Sequence, residues 1–451
     1  MTDTGTPEAE EHHHNDSDQH SELDAAITFK TTALADHTAD HTADHTADLA
    51  TDSYLTANLR NHVVNTLREW YVLATDSIST LLEGRVLSPQ PTDLWLLGRR
   101  YELTPATSEP EPEPEPGWLT NAYPEAVLAD FRRLIWCTYR SQYPPIAPSA
   151  FTSDAGWGCM LRAGQTLLAQ ALQLHYFGRD WAFDWGDEEK QTKYVSIVRQ
   201  FFDDFAPSSV FSIHRMASRG KQREGKDIGQ WFGPFGTAAV IRELAMDAQH
   251  ELRIYTTTDG VVHLADLCQD DFQPTLILAA SMLGTDHINP LYYPFIQAAL
   301  TLPQSAGIAG GRPSSALYFA GFSGDELVYL DPHYTRPAVA RRPDDHYSQS
   351  DLESYSCDSP RRIPLPRIDP CMVFGFYCRD LTELIDLRAR IDMLADEGML
   401  AIVSFDNDFS PAQPNVLPES DGPEDAGGPS DASEVVLDPD SASDEEWVTD
   451  L

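Results

Sequence analysis

From Met160 to Phe177 apolar side chains recur at helical spacing: Leu161, Ala163, Leu167, Leu168, Ala171, Leu172, Leu174 and Tyr176, with Gln and Arg between them. No proline interrupts the run, and Gly178 follows where a glycine ends a helix. The pattern predicts a strong helix with Cys159 in its first turn. Further helical patterns cover Tyr54–Leu97 (Val63, Val64, Leu67, Trp70, Tyr71), Tyr123–Trp136, Tyr194–Phe205, Phe235–Ala248, Asn289–Leu302 and Asp380–Leu394. Strand patterns come later. Leu252–Thr257 alternates, Thr275–Ala280 is continuously apolar, and Cys371–Cys378 is a further β-rich run. Ser315–Phe322 and Glu326–Leu330 flank the turn Ser323-Gly324-Asp325 and predict a hairpin. Helices first and an antiparallel sheet later place the chain in the α+β class.

The polar stretches set the domain boundaries. Residues 1–52 hold Asp, Glu, His, Thr and Ser, with the repeat His-Thr-Ala-Asp from His37 to Asp48. Too little apolar area is present there to offset the entropy of ordering, so disorder is expected, and nothing fixes its histidines as metal ligands. Residues 404–451 form a second acidic tail of the same expected character. Residues 53–403 are expected to be one domain. It carries a Glu-Pro insertion at 105–117 and a polar loop at 341–362, both expected on the surface.

Charge changes the picture little once it is located. Of a net −40, residues 1–52 carry −12, Ser404–Leu451 carries −14 and the Glu-Pro run −4. The acidity describes tails, and it excludes nucleic acid as a partner, because phosphate backbones require a basic face. Six scattered cysteines (137, 159, 268, 357, 371 and 378) suit a reducing compartment better than a disulfide framework. No apolar run reaches the roughly 20 residues that span a bilayer, and the N-terminus has no signal pattern. The expectation is a cytoplasmic protein without cofactor.

The candidate chemistry centres on Thr152-Ser153-Asp154-Ala155-Gly156-Trp157-Gly158-Cys159-Met160-Leu161-Arg162. A Gly-rich turn there delivers a thiol to a helix N-terminus, where free N–H groups and the helix dipole favour thiolate. A cysteine nucleophile needs a base and a third group to hold that base. Among the histidines, His62, His214, His250, His263, His287 and His333 are in play. His333 stands in Leu330-Asp331-Pro332-His333, where residues two apart on an extended segment share a face. Asp331 and His333 then project together, whereas the runner-up pair Asp286-His287 points to opposite faces. Cys371 and Cys378 are an odd number apart on one strand and cannot share a metal.

The Cys159 block resembles the active-site block of the autophagins, cysteine peptidases with a papain-like fold. Thr138-Tyr139-Arg140, Gly229-Gln230-Trp231-Phe232-Gly233-Pro234 and Leu330-Asp331-Pro332-His333 resemble the same family, in matching order across roughly Ala126–Arg379. The resemblance implies a helical lobe and an antiparallel β lobe. It implies Cys159 as nucleophile, His333 as base, Asp331 as its partner, and Tyr139 on the oxyanion side beside the Cys159 N–H. Trp231 and the loop Gly310-Gly311-Arg312-Pro313 are implied to form a gated cleft for a narrow Gly-ended peptide. The implied substrate is the ubiquitin-like autophagy modifier, trimmed to expose a glycine and later released from phosphatidylethanolamine. Membrane contact then comes only through the lipidated substrate, and a monomer is expected. The family's aromatic-x-x-aliphatic docking motif is not matched by Glu445–Leu451, whose leucine comes one residue late. The alternatives are a deconjugase of ubiquitin or another modifier, and a catalytically weak modifier-binding protein.

Overall fold

A computed structural model describes residues 93–103, 123–180, 186–268, 272–312, 315–343 and 345–406. The chain enters as a hairpin, β1 (Asp93–Leu96) and β2 (Arg99–Glu102), closed by Leu97 and Gly98, both at positive φ. Two positive-φ residues match the right-handed twist of the flanking strands. Residues 93–97, where the helical pattern was expected to extend, are therefore strand and turn instead. Leu94 and Leu96 alternate into the core as a strand requires, and the rest of that pattern lies outside the described residues.

The next elements are α1 (Glu125–Arg132), β3 (Arg140–Ser141), α2 (Cys159–Phe177), α3 (Glu188–Val198), α4 (Ile213–Glu224) and α5 (Pro234–Asp247). They are followed by β4 (Arg253–Thr257), β5 (Val261–His263), β6 (Thr275–Met282), α6 (Tyr293–Thr301), β7 (Ser305–Arg312), β8 (Ser315–Ser323) and β9 (Glu326–Leu330). The described chain closes with β10 (Arg336–Pro337), β11 (Arg361–Pro364), β12 (Cys371–Cys378), α7 (Leu381–Asp396) and β13 (Ser404–Asp406).

One sheet runs β11-β9-β8-β7-β12-β6-β4, with β1 joined to β8. Its pairs are antiparallel except β4 with β6. Alternate residues face two separate cores, as the period of two dictates. Leu276, Leu278, Ala280, Val373, Tyr318 and Val328 join α2–α5 on one face. Ile277, Ala279, Phe374, Phe319 and Leu327 meet α6 and α7 on the other. The mixed content and the hairpin of β8 and β9 agree with the α+β reading.

Helix α2 is buried along its length, from Cys159 to Leu174. It packs on β12 where Gly375 leaves room: a Cβ there would meet Leu167 at 2.7 Å. Its polar residues are buried too. Gln165 donates to the Phe211 carbonyl at 2.7 Å, and Thr166 accepts the Cys137 N–H at 3.1 Å.

Four further expectations are corrected. The helix expected at Tyr194–Phe205 begins at Glu188 instead, because Asp187 caps it by accepting the Lys190 N–H. Gly310, Gly311 and Arg312 are the end of strand β7 and not a loop. A Cβ on Gly311 would run into the Ser315 carbonyl at 2.2 Å, so the glycine permits close strand pairing. Residues 341–362 are exposed only in part: Tyr347, Leu352, Tyr355 and Cys357 are buried there and pin the stretch to the core. The ordered chain also passes 403, because β13 pairs in parallel with β5.

Candidate active site

The turn before α2 is built on Asp154. Its carbonyl accepts the Trp157 and Gly158 N–H groups, and Gly156 takes a positive φ. At Gly158 any side chain is excluded by contact, since a Cβ would lie 2.4 Å from Asp154 Oδ2. The Asp154 carboxylate accepts Arg162 Nε at 2.8 Å and Arg162 Nη2 at 2.8 Å, and Oδ1 also takes the Arg140 backbone N–H at 2.8 Å. Arg162 reaches Asp203 at 2.8 Å as well. Its side chain is only 1% exposed, so this cation, held between two carboxylates, fixes the turn from beneath.

Three stretches of chain meet above that anchor. The Tyr139 N–H donates to the Pro332 carbonyl at 2.9 Å, and the Arg336 N–H to the Tyr139 carbonyl at 3.0 Å. Strands β3 and β10 pair in parallel, and Ser141 bridges to Ser153. Trp136 Nε1 donates to the Asp331 carbonyl at 2.8 Å. Backbone bonds therefore tie the residues carrying Tyr139, Cys159 and His333 to one another.

Asp331 Oδ1 accepts His333 Nδ1 at 2.6 Å and the His333 backbone N–H at 3.0 Å, and Oδ2 faces Arg361 at 3.4 Å. With Nδ1 committed to Asp331, Nε2 is the nitrogen turned to Cys159. Burial would raise the Asp331 carboxyl, but the His333 charge and hydrogen bonds, with Arg361, hold it below the ordinary carboxylate range. Burial would lower the His333 imidazole, yet Asp331 and then Cys159 push it up to about 10.

Cys159 sits against Tyr139, Ala155 and Ala316. Burial would push its thiol up; hydrogen bonds from His333, the Ala316 N–H and the Tyr139 hydroxyl, with the imidazole charge, bring it down instead. In the other five cysteines burial wins. Cys137 is raised to about 12, Cys357 and Cys371 to about 11, and Cys268 and Cys378 also go up. Tyr139 is raised well above its usual value, first by burial and then by Cys159, and so keeps its proton as a donor. Its ring meets the His333 ring edge-on at 5.4 Å. The two shifts run in opposite directions, the thiol down and the imidazole up, and so favour a thiolate beside an imidazolium with a carboxylate behind the ring.

The sequence-derived residues distribute around this pair. Trp231 is half-exposed and donates its indole N–H to the Gly156 carbonyl at 2.6 Å, next to the cysteine turn. Gly311 lies one residue from Arg312, which approaches Ser315 Oγ at 3.5 Å; that oxygen is 3.4 Å from His333 Nε2. Pro313 lies outside the described residues. The remaining histidines stand elsewhere. His214 bonds the Pro144 carbonyl, His250 bonds Gln200, His263 faces Asp406, and Asp286-His287 is exposed, while His62 lies outside the described residues. Sequence reasoning missed Ser315, the Ala316 N–H, Arg361 and the Asp154–Arg162–Asp203 cluster. Asp154 and Arg162 lay inside the recognised block, eight residues apart, which is the signal that was available.

A model of the peptidase C54 catalytic domain matches residues 124–390, more than half of the chain. A probable cysteine protease atg4 of Penicillium rubens is 39% identical over 342 residues, 66% of this chain and 83% of that protein. A probable cysteine protease atg4 of Aspergillus niger is 38% identical over 315 residues, 63% of this chain and 76% of its own. A cysteine protease atg4 of Emericella nidulans is 37% identical over 355 residues, 69% of this chain and 86% of its own.

Proposed function

The chain belongs to the peptidase C54 family of papain-like cysteine peptidases, the autophagins, and from that premise we propose that it cleaves a ubiquitin-like autophagy modifier after a glycine. The observation that carries the reading is Cys159, the one thiol of the six whose pKa falls, in hydrogen-bond contact with His333 and Tyr139. In this reading the Cys159 thiolate attacks the glycine carbonyl carbon. The oxyanion forms opposite the Cys159 N–H and the Tyr139 hydroxyl, which stays a donor because it keeps its proton. The His333 imidazolium gives its Nε2 proton to the departing nitrogen, and a thioester remains on Cys159. Neutral His333 then takes a proton from water, which attacks the thioester and releases the glycine carboxylate and the thiol. Asp331 holds the ring and balances its charge through both steps.

The same site serves two leaving amines. One is the peptide nitrogen of a C-terminal extension and the other the amine of phosphatidylethanolamine, since both are amides of the same glycine. Half-exposed Trp231, tied to Gly156, narrows the approach to the thiol and suits a substrate whose last residue has no side chain. The peptidase unit in this reading continues through β13, acts as a monomer in the cytoplasm, and meets membranes through its substrate. No described helix is long and apolar enough to cross one.

The test is incubation with a modifier carrying a tail beyond its glycine, and with lipid-conjugated modifier on vesicles, with Cys159→Ser as control. Cleavage after the glycine of both substrates, lost in Cys159→Ser, is expected. Cleavage of ubiquitin fusions in preference to the modifier moves the assignment to a different deconjugase, and cleavage by Cys159→Ser overturns it.

A further inference from the structure

A shallow, solvent-open cleft lies between the β1–β2 hairpin, α1 and the C-terminal half of α2. Gln170 in its wall follows Cys159 by eleven residues on one helix, about 16 Å along the axis at 1.5 Å per residue. The proposed catalytic chemistry does not use it.

Its charge is unusual for this chain. Arg99, Arg133 and Arg179 line it, against one carboxylate, Asp130. Asp130 is already shared: it pairs with Arg99 at 2.8 Å and with Arg133, and accepts the Tyr101 hydroxyl. Arg179 makes no ion pair within 4 Å among the described residues; Glu383 and Asp180 act on it only from longer range. It donates to the Leu97 carbonyl at 2.5 Å and the Ser305 carbonyl at 3.2 Å, and carbonyls position a guanidinium without neutralising it. Burial pushes Arg179 down to about 10, which still leaves it charged at neutral pH. The lining therefore carries three cations and one anion in a protein whose net charge is −40.

A neighbouring polar group is also unmatched. Gln173 accepts the Ile135 N–H and donates to the Arg133 carbonyl, so both ends of its amide are used. Gln170, 7% exposed and in the same wall, has an Oε1 with no hydrogen-bond partner. A buried amide oxygen left unpaired is costly, and an incoming donor would relieve it.

We propose that this cleft binds a phosphate monoester, its dianionic head among Arg179, Arg99 and Arg133, its hydroxyl on Gln170, and its carbon skeleton against Leu134 and Leu174. A dianion matches the excess of two positive charges, and guanidinium forks suit phosphate oxygens. The phosphate comes either from a soluble ester or from a lipid headgroup.

The test uses the full chain with glycerol 3-phosphate as probe, by calorimetric titration and thermal melting at fixed ionic strength. One-site saturable binding with a rise in Tm is expected. Arg179→Gln should weaken Kd at least tenfold and Gln170→Leu several-fold. Arg179 also holds two carbonyls, so Arg99→Gln, at a half-exposed position outside the core, is the variant that guards against misfolding; it too should weaken binding several-fold. Phosphatidylcholine vesicles with and without phosphatidic acid distinguish the sources. Vesicle binding lost in Arg99→Gln assigns the lipid, and binding of the soluble ester alone assigns a metabolite. No saturable binding of either, or equal binding by wild type and Arg99→Gln, overturns the proposal.

Discussion

A single oxygen of Asp331 holds His333 twice, taking the ring Nδ1 at 2.6 Å and the backbone N–H at 3.0 Å. The grip sets both where the ring stands and which nitrogen is left for Cys159. Position and tautomer are thus fixed by one atom, which makes Asp331 the sharpest place to test the triad.

Asp331→Asn keeps a carbonyl oxygen able to accept the backbone N–H, so the fold and melting temperature should change little. The amide cannot balance an imidazolium and can favour the wrong tautomer; in a serine protease that change cost about 10⁴ in kcat. We expect a loss of similar order in kcat with KM nearly unchanged. A kcat within tenfold of wild type removes Asp331 from the chemistry.

The pH profile follows from opposite displacements. Cys159 is lowered and His333 raised, so the ion pair exists between the two values. As pH falls through the lowered thiol value the thiolate is protonated and the rate drops. As pH rises through about 10 the imidazolium, donor to the leaving amine, is lost. Alkylation of Cys159 by a neutral electrophile should remain fast well below the free-thiol value of about 8.5. In His333→Ala its midpoint should move up toward that value; an unmoved midpoint shows that His333 does not set the thiol.

Tyr139→Phe removes a hydroxyl needed once the oxyanion forms. Loss of one such donor costs about 10²–10³ in kcat in a measured case. Peptide cleavage should fall by that order while alkylation stays within a fewfold of wild type. Equal losses in both assays would make the bond to the Cys159 sulfur, and not the oxyanion, the main contribution of Tyr139.

Arg162→Met leaves Asp154 and Asp203 buried without their shared cation, and should lower stability by about 3–5 kcal/mol. Burial already holds the Asp203 carboxyl up, and loss of Arg162 raises it further. A carboxyl with a folded pKa above its unfolded value of about 3.9 binds its proton more tightly in the folded state. The deficit should therefore shrink as pH falls from the folded toward the unfolded value. Urea midpoints at several pH values check the sign, and a deficit that grows on acidification contradicts it.

Trp231→Ala opens the approach to the thiol without touching the core, since the indole is half-exposed. Melting should shift little, alkylation by a small reagent should be unchanged or faster, and cleavage of the modifier should weaken chiefly through KM. A large fall in melting temperature would make Trp231 a packing residue.

Much of the site was legible because its groups lie in two short, strongly patterned stretches. Cys159 follows a glycine that Asp154 leaves no room to replace, and Asp331 and His333 share a face because they are two apart. Ser315 and the Ala316 N–H were missed although the predicted hairpin, extended past Leu330 in its register, already sets them opposite His333. In the fold, α2 announced itself by an unbroken period, whereas α4 carried its signals only at the ends. Ser212 caps it by accepting the Arg215 N–H, and Gly225 ends it in the left-handed region. Strand β7 was hidden by its glycines, which are poor strand formers and stand there because neighbouring backbone comes close. The buried residues within 341–362 were obscured by the charge around them: Arg342 pairs with Asp351, and Tyr347 and Tyr355 turn inward.

The partners of Cys159 come from residues 139, 316 and 333, so the contacts that lower its pKa close loops of 20, 157 and 174 residues. Contacts that distant in sequence form late in folding. A ribosome delivers Cys159 and most of α2 long before it delivers His333. Until β8 and β9 have docked, the chain carries a thiol without its base. Proteolytic competence therefore waits until the chain has passed His333 and folded, and a product that stops short of it lacks the base.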